Sequence, residues 1–261
     1  MQAMIFAAGM GTRLKPLTDV IPKALVPVGD KSLLQIVIER LISFGCEKAV
    51  VNVHHKAGQI KNFLSVAAPH FNIPISISDE SEALLETGGG IRKASHLFSP
   101  DEPILIHNVD ILSNVNLREL YDRIGTDDAL LLVSERKTQR YLLFDDDMRL
   151  VGWTNISTGE IKSPYEEIKE MSGYTPGEYD SVAEMFLSRA SLRLYAFSGI
   201  HIINHPLLQD MEEWSERFPI MDFYLNRCKD RKIRGVVKRD LQLLDVGKLD
   251  ALEKINVEDW L

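Results

Sequence analysis

The chain has 261 residues, 45% of them hydrophobic and 26% charged, a globular balance that excludes a disordered tract or a fibrous repeat. A net charge of −8 disfavours non-specific nucleic-acid binding, which needs a basic face to displace counterions from phosphates. No apolar run approaches the roughly 20 residues of a bilayer span, and Met1–Met10 lacks the basic start of an export signal. The expectation is a cytoplasmic protein with reduced Cys46 and Cys228, no membrane and no nucleic acid among its partners.

In chain order, apolar runs alternate with helical patterns. Met4–Ala8 predicts a buried strand, and Leu33, Leu34, Val37, Ile38, Leu41 and Ile42 recur at helical spacing before a stop at Gly45. Ala49–Val53 predicts the next strand, Gln59–Ala68 a helix and Ile73–Ile77 a third strand. Thr87 is placed to cap a helix running towards Phe98, and Ile104–Val109 is a fourth apolar strand. Such βαβα order predicts an α/β fold with a Rossmann-like, mostly parallel central sheet and helices on both faces. Ligands of such sheets bind beyond the carboxyl ends of the strands.

Beyond Ala129 the alternation loosens into strands at Leu130–Val133, Tyr141–Phe144 and Leu150–Trp153, the last two joined by a turn at Asp145–Asp147. Residues 154–190 are rich in Ser, Gly, Pro and Tyr, and from Glu160 to Arg189 they hold seven acids against three bases. An irregular insertion is expected there, either a lid over a site or a surface excursion. The sheet resumes at Leu194–Ile203, followed by helices from Pro206 and Ile220, a strand near Ile233–Val237 and a last helix after Gly247. No linker composition or repeat divides the chain, so a single domain over 1–261 is expected.

Chemistry concentrates at the first strand's end. Ala8, Gly9 and Gly11 are small residues that let the backbone approach a phosphate chain, with successive N–H groups donating to its oxygens. Arg13 adds a fork matched to phosphate, and Lys23 adds a mobile point charge. The first 31 residues hold four bases against two acids inside an acidic chain, which suits a small polyanion. A dinucleotide fingerprint is excluded by Leu14 where its third glycine would stand, and a Walker loop by the lack of Gly-Lys-Ser/Thr.

Gly11-Thr12-Arg13 followed by Pro22-Lys23-Ala24-Leu25-Val26-Pro27 resembles the opening of the sugar-1-phosphate nucleotidyltransferase family, whose nearest likeness here is to N-acetylmuramate-1-phosphate uridylyltransferases and mannose-1-phosphate guanylyltransferases. The family's later landmarks have counterparts in order along the chain. The resemblance implies that Arg13 and Lys23 hold the triphosphate and do the catalytic work, while Ala8, Gly9, Gly11 and Thr12 line the nucleotide. Glu86-Thr87-Gly88-Gly89-Gly90 resembles the family's Gly-Thr-Gly segment, and physically its glycines would leave a ligand room against free N–H groups. The Glu-Thr-Gly-Gly-Gly form favours UTP, then GTP. Glu80 falls where the family reads the base edge, or is a solvated loop acid.

His107-Asn108-Val109-Asp110 ends a strand, so Asp110 projects where ligands gather, and the resemblance pairs it with Asp245 of Leu244-Asp245-Val246-Gly247 as a magnesium site. Asp245 alone reads more readily as a helix cap, and only the resemblance and its partner Asp110 make it a metal ligand. Ser198 and Gly199 resemble the family's sugar-side strand, or are a buried strand with a packing glycine. Val109 stands where relatives have Gly, and the Glu-Lys-Pro element whose lysine meets the sugar phosphate is not found. Arg140 or Tyr141 is a candidate substitute, unless Arg140 is an exposed hairpin residue. Together these residues imply an Mg²⁺-dependent enzyme joining a nucleoside triphosphate to a sugar 1-phosphate. The alternative is a non-catalytic nucleotide-sugar-binding regulatory protein on the same fold. Oligomeric state is not legible.

Overall fold

The computed structural model describes residues 1–247. The first half alternates as expected: β1 (Gln2–Phe6), α1 (Leu33–Ser43), β2 (Lys48–Val53), α2 (Ala57–Ala67), β3 (Ile75–Asp79), α3 (Glu86–Ala94) and β4 (Ile104–Asn108). A short strand β5 (Ile111–Ser113) follows, then β6 (Ala129–Ser134), β7 (Arg140–Phe144), β8 (Leu150–Asn155) and β9 (Glu160–Lys162). The remainder comprises α4 (Tyr179–Ala190), the long β10 (Arg193–Ile203), α5 (Ile220–Arg227), β11 (Ile233–Val237) and β12 (Leu243–Asp245).

Strand order in the main sheet is β9-β8-β7-β10-β4-β1-β2-β3, with β6 bridging β10 and β11. β1 lies parallel between β2 and β4, the central position that a strand apolar on both faces demands. Its successive side chains go to opposite layers: Ala3 and Ile5 pack with α1 and α2, and Met4 packs with α3 and α5. The parallel core therefore matches the expected α/β sheet, while the strands from β7 to β10 run antiparallel and make the whole sheet mixed. Both expected faces carry helices.

α1 stops where the glycine predicts. Gly45 takes φ 82°, its N–H donates to Ile42 at 2.9 Å, and the Cys46 N–H donates to Leu41 at 3.0 Å, a Schellman closure. Cys46 and Cys228 are both buried free thiols. Among the described residues no helix is long and apolar enough to cross a membrane. The helix expected after Gly247 lies outside the described residues.

Two expectations change. Thr87 is not a helix cap: Leu85 holds that position, and the Thr87 hydroxyl instead accepts the Ile220 N–H at 2.9 Å, tying α3 to the start of α5. Residues 154–190 are not irregular. They contain the end of β8, β9, a turn of helix at Glu166–Lys169 and all of α4, organised around their own apolar cluster with β7 and β10. Ile156, Ile161, Ile168, Val182 and Phe186 are all buried there. Their spacing follows neither a strand nor a helix period for long, because four short elements each contribute one or two residues. Phe186 is fully buried, edge-on to Tyr174 at 5.4 Å between ring centroids. Phe186→Ala is therefore expected to cost about 3–5 kcal/mol in this unit, measured as faster amide exchange across residues 156–194 and a lower urea midpoint.

Candidate active site

The carboxyl ends of β1, β2 and β4 open on one cleft. After Phe6 the chain turns through Ala7-Ala8-Gly9-Met10-Gly11, and the Ala7 N–H is engaged by the Asn52 side chain at 2.8 Å. The N–H groups of Ala8, Gly9, Met10 and Gly11 make no hydrogen bond to any described residue, which leaves four backbone donors for an anion. A side chain at Gly9 would meet nothing within 4 Å. Gly11 takes φ 64°, and a Cβ there would stand 2.7 Å from the Thr18 methyl. Its carbonyl accepts from the Thr18 hydroxyl at 2.8 Å and the Leu14 N–H at 2.9 Å, so the turn is shaped from behind.

Both cations sit on acids. The Lys23 ammonium and the Asp110 carboxylate form a largely buried ion pair. Arg13 reaches Asp245 at 3.4 Å on the solvent side, where more than a third of each side chain is exposed. Asp110 and Asp245 are neighbours because β12 pairs antiparallel with β5, setting Asp245 opposite Ile111, and the Val246 N–H donates to the Asp110 carbonyl at 2.8 Å. The second Asp245 oxygen accepts the Gly247 N–H at 2.9 Å, a local cap that coexists with the Arg13 contact. A Cβ on Gly247 would stand 2.6 Å from an Arg13 nitrogen. That close approach is a physical reason for glycine after this acid. Two carboxylates on adjoining strand ends offer only oxygen donors, the set that suits magnesium when substrate phosphates complete its shell. Among the described residues no group of three or more His, Cys, Asp or Glu is placed to hold an ion unaided.

A cavity of about 350 Å³ runs from the turn between these elements, lined in part by Ala8, Gly9, Lys23, Glu86, Thr87 and Asp110. Gly11, Thr12, Arg13, Gly88 and Asp245 fall outside its lining. Glu80 also borders the cavity, but it is neither a solvated acid nor a free edge. It is 1% exposed, one oxygen accepts the Asn52 amide at 2.8 Å, and the other accepts the Leu85 N–H at 3.2 Å. Asn52 and Glu80 thus brace the ends of β1 and β2 against the approach to α3.

The glycines of α3 also differ from expectation. The Gly88 and Gly89 N–H groups both donate to the Phe218 carbonyl, at 2.9 and 3.2 Å, so they are not free for a ligand. A Cβ on Gly88 would overlap the Phe218 ring, one on Gly89 the Glu216 carbonyl, and one on Gly90 would lie 2.8 Å from a Glu80 oxygen. Backbone packing, not anion binding, is what these three positions require. Glu86, just before them, takes φ 62° and pairs with Arg217 at 3.1 Å.

A second cavity of about 520 Å³ shares Phe6, Thr87 and Asn108 with the first, so one cleft continues past β4 towards β7, β8 and β9. Arg140 and Tyr141 both border it, though the Arg140 side is exposed. Ser198 and Gly199 do not. Ser198 is buried with no hydrogen-bond partner among the described residues, and Gly199 makes a bulge at φ 74° whose missing side chain leaves room for the Asn108 amide. Their neighbours Phe197 and His201 face the cavity instead. Lys162 was missed by sequence reasoning. Its signal was present, since Glu160-Ile161-Lys162-Ser163-Pro164 spreads a Glu-Lys-Pro element over five residues. Asn52 was missed as well, and the signal there was an amide inside an apolar strand. Trp214, Phe218, Phe223 and Tyr224 pack together, as expected of core residues.

Residues 2–143 match the family described as Nucleotidyl transferase, more than half of the chain. An N-acetylmuramate alpha-1-phosphate uridylyltransferase of Caulobacter vibrioides is 44% identical over 109 residues, 41% of this chain and 45% of that protein. A UTP--glucose-1-phosphate uridylyltransferase of Synechocystis sp. is 26% identical over 96% of this chain and 67% of that protein. The chain thus spans less than half the length of the first of these relatives. The crystal structure of HddC from Yersinia pseudotuberculosis superposes with a TM-score of 0.73 at 18% identity, covering 100% of this chain and 99% of that one, a likeness of fold.

His201 receives or gives a hydrogen bond with the Tyr224 hydroxyl at 2.7 Å, and burial pushes its imidazole down to about 3. Burial likewise pushes His107 down to about 4, against the opposing hydrogen bond with the Asn108 carbonyl. Both are neutral when folded, whereas in the unfolded chain each titrates near ~6.5. Below that pH only the unfolded state gains these protons, so the stability they contribute is complete above it and is lost as pH falls towards 4 and 3. The urea midpoint is expected to hold steady above pH 7 and to drop on acidification through this window, with a shallower drop in His201→Gln. A midpoint flat down to pH 4 would contradict it.

Proposed function

From the premise that the chain belongs to the nucleotidyl transferase family, we propose that it joins a nucleoside triphosphate, UTP before GTP, to a sugar 1-phosphate, giving an NDP-sugar and pyrophosphate. The observation that carries this reading is that Ala8 and Gly9 of the turn and the Lys23–Asp110 pair border one end of a continuous cleft, with the Arg13–Asp245 pair brought beside them by the pairing of β5 and β12. A triphosphate laid on the turn would find donors along its length, and Lys23 within reach of the phosphorus that reacts. Names of the relatives support the substrate classes: one is a uridylyltransferase for N-acetylmuramate 1-phosphate, another for glucose 1-phosphate.

In the proposed reaction an oxygen of the sugar phosphate attacks the α-phosphorus in line. A new P–O bond forms as the α–β P–O bond breaks, and pyrophosphate leaves with the bonding electrons. No proton needs to move. The residues therefore contribute position and charge. Lys23 leaves Asp110 to follow the negative charge that gathers on the α-phosphate, Arg13 leaves Asp245 for the departing phosphates, and the turn N–H groups hold the chain straight. Asp110 and Asp245, released, would hold Mg²⁺ together with phosphate oxygens. That ion supplies electrostatic neutralisation of the triphosphate. Lys162 and Arg140, at the other cavity, would meet the sugar phosphate in place of the family's Glu-Lys-Pro lysine.

A regulatory protein of this fold has no need of both cation–acid pairs, so the enzyme reading is preferred. Lys23→Ala and Asp110→Asn are each expected to lower pyrophosphate release by about 10³ or more with an unchanged circular dichroism spectrum. The measurement is a release assay crossing UTP, GTP, CTP, ATP and dTTP with several sugar 1-phosphates. Near-normal turnover in either variant, or no turnover by the wild type with any pair, overturns the reading.

A further inference from the structure

The larger cavity contains one carboxylate among its lining residues. Asp222 shares that lining with Arg136, Arg140 and Lys162, and Trp153 lies directly across the strand pair from Lys162. Asp222 stands in the first turn of α5, and the N–H of Ile220 two residues earlier is fixed by the Thr87 hydroxyl at 2.9 Å. Its position is thus set by the same threonine that borders the nucleotide-side cavity. One Asp222 oxygen lies 3.4 Å from the Lys162 ammonium, and both side chains are 48% exposed. Lys162 also sits 5.5 Å from the centroid of the Trp153 ring, so the lysine has a second resting surface without the acid.

A half-exposed pair at this distance holds little structure together. Its place in the cavity gives it another use. A sugar phosphate brings a dianion, which out-competes a single carboxylate for an ammonium, together with hydroxyl groups that need acceptors. An ionised carboxylate is acceptor-only and can take two such hydroxyls at once. We propose that Asp222 is the residue that accepts the sugar hydroxyls and sets which sugar is used, masked by Lys162 until a phosphate draws the lysine away. This rests on the transferase reading above. It adds that hydroxyl recognition is coupled to the phosphate: a free sugar meets a carboxylate already paired, and a sugar 1-phosphate meets one set free.

The test uses pyrophosphate release by the full chain with glucose, mannose and N-acetylmuramate 1-phosphates and the monodeoxy forms of each. For the best substrate, removal of one particular hydroxyl is expected to lower kcat/KM of the wild type on the order of 10- to 100-fold. In Asp222→Ala the parent sugar falls by a similar factor and the deoxy form does not, so the discrimination vanishes, while KM for the triphosphate stays within about twofold. Lys162→Met raises KM for parent and deoxy sugars alike and retains the discrimination. Unfolding of Asp222→Ala is checked by its urea midpoint, and Asp222→Asn, which keeps one acceptor oxygen, should retain part of the discrimination. An active wild type whose Asp222→Ala variant still separates parent from every deoxy form overturns this assignment and leaves the transferase reading standing. A wild type inactive on every pair overturns both.

Discussion

The site depends on a short antiparallel pairing between β5 and β12. One strand comes from the middle of the described chain and the other from its end, and the hydrogen bond from the Val246 N–H to the Asp110 carbonyl closes the pairing beside the two acids. Once the two backbones are joined there, the carboxylates of Asp110 and Asp245 have to share a neighbourhood, and each needs a positive partner. Arg13 supplies one from just past the glycine turn and Lys23 the other from the segment after Pro22. Burial makes one of these pairs strong and leaves the other loose. Lys23 and Asp110 are mostly shielded from water, whereas Arg13 and Asp245 are open to it.

Behind this arrangement lies a second layer of buried polar contacts. Asn52 engages the Ala7 N–H on one side and Glu80 on the other, and Glu80 passes the connection to Leu85 at the approach to α3. α3 in turn is locked to α5 through Thr87 and the Phe218 carbonyl. The polar chain therefore runs from the glycine turn to the helix that carries Asp222. Every member is satisfied inside the protein, the condition under which a buried polar network makes a structure rigid rather than weak.

The parallel core was legible in the amino-acid sequence because β1, β2 and β4 are continuous apolar runs and α1 has an unbroken helical stripe closed by Gly45. The glycine turn was legible as a tight turn, since small residues directly after a buried strand permit close backbone approach, and Gly11 takes φ 64° there. The glycines of α3 show where the method ends. Their sequence says only that side chains are excluded, and a ligand or a neighbouring backbone excludes them equally well. Here Phe218 and Glu216 do so, from more than 120 residues away. Residues 154–190 were opaque for a different reason: their core is assembled from single apolar residues on short elements, and no window is long enough to show a period. Ser198 and Gly199, assigned to the sugar side by resemblance, lie at a bulge of β10 with φ 74° at the glycine, and Phe197 and His201 line the larger cavity where they do not.

The pairing of cations with acids along the cleft also governs how a ligand arrives. Lys23, Arg13, Lys162 and Arg217 each have a carboxylate within 4 Å, whereas Arg136 and Arg140 in the lining of the larger cavity have none among the described residues. The body around it carries −8. A polyanion entering as proposed would have to part the paired cations from their carboxylates at one end of the cleft, while meeting Arg136 and Arg140 without a carboxylate to displace at the other.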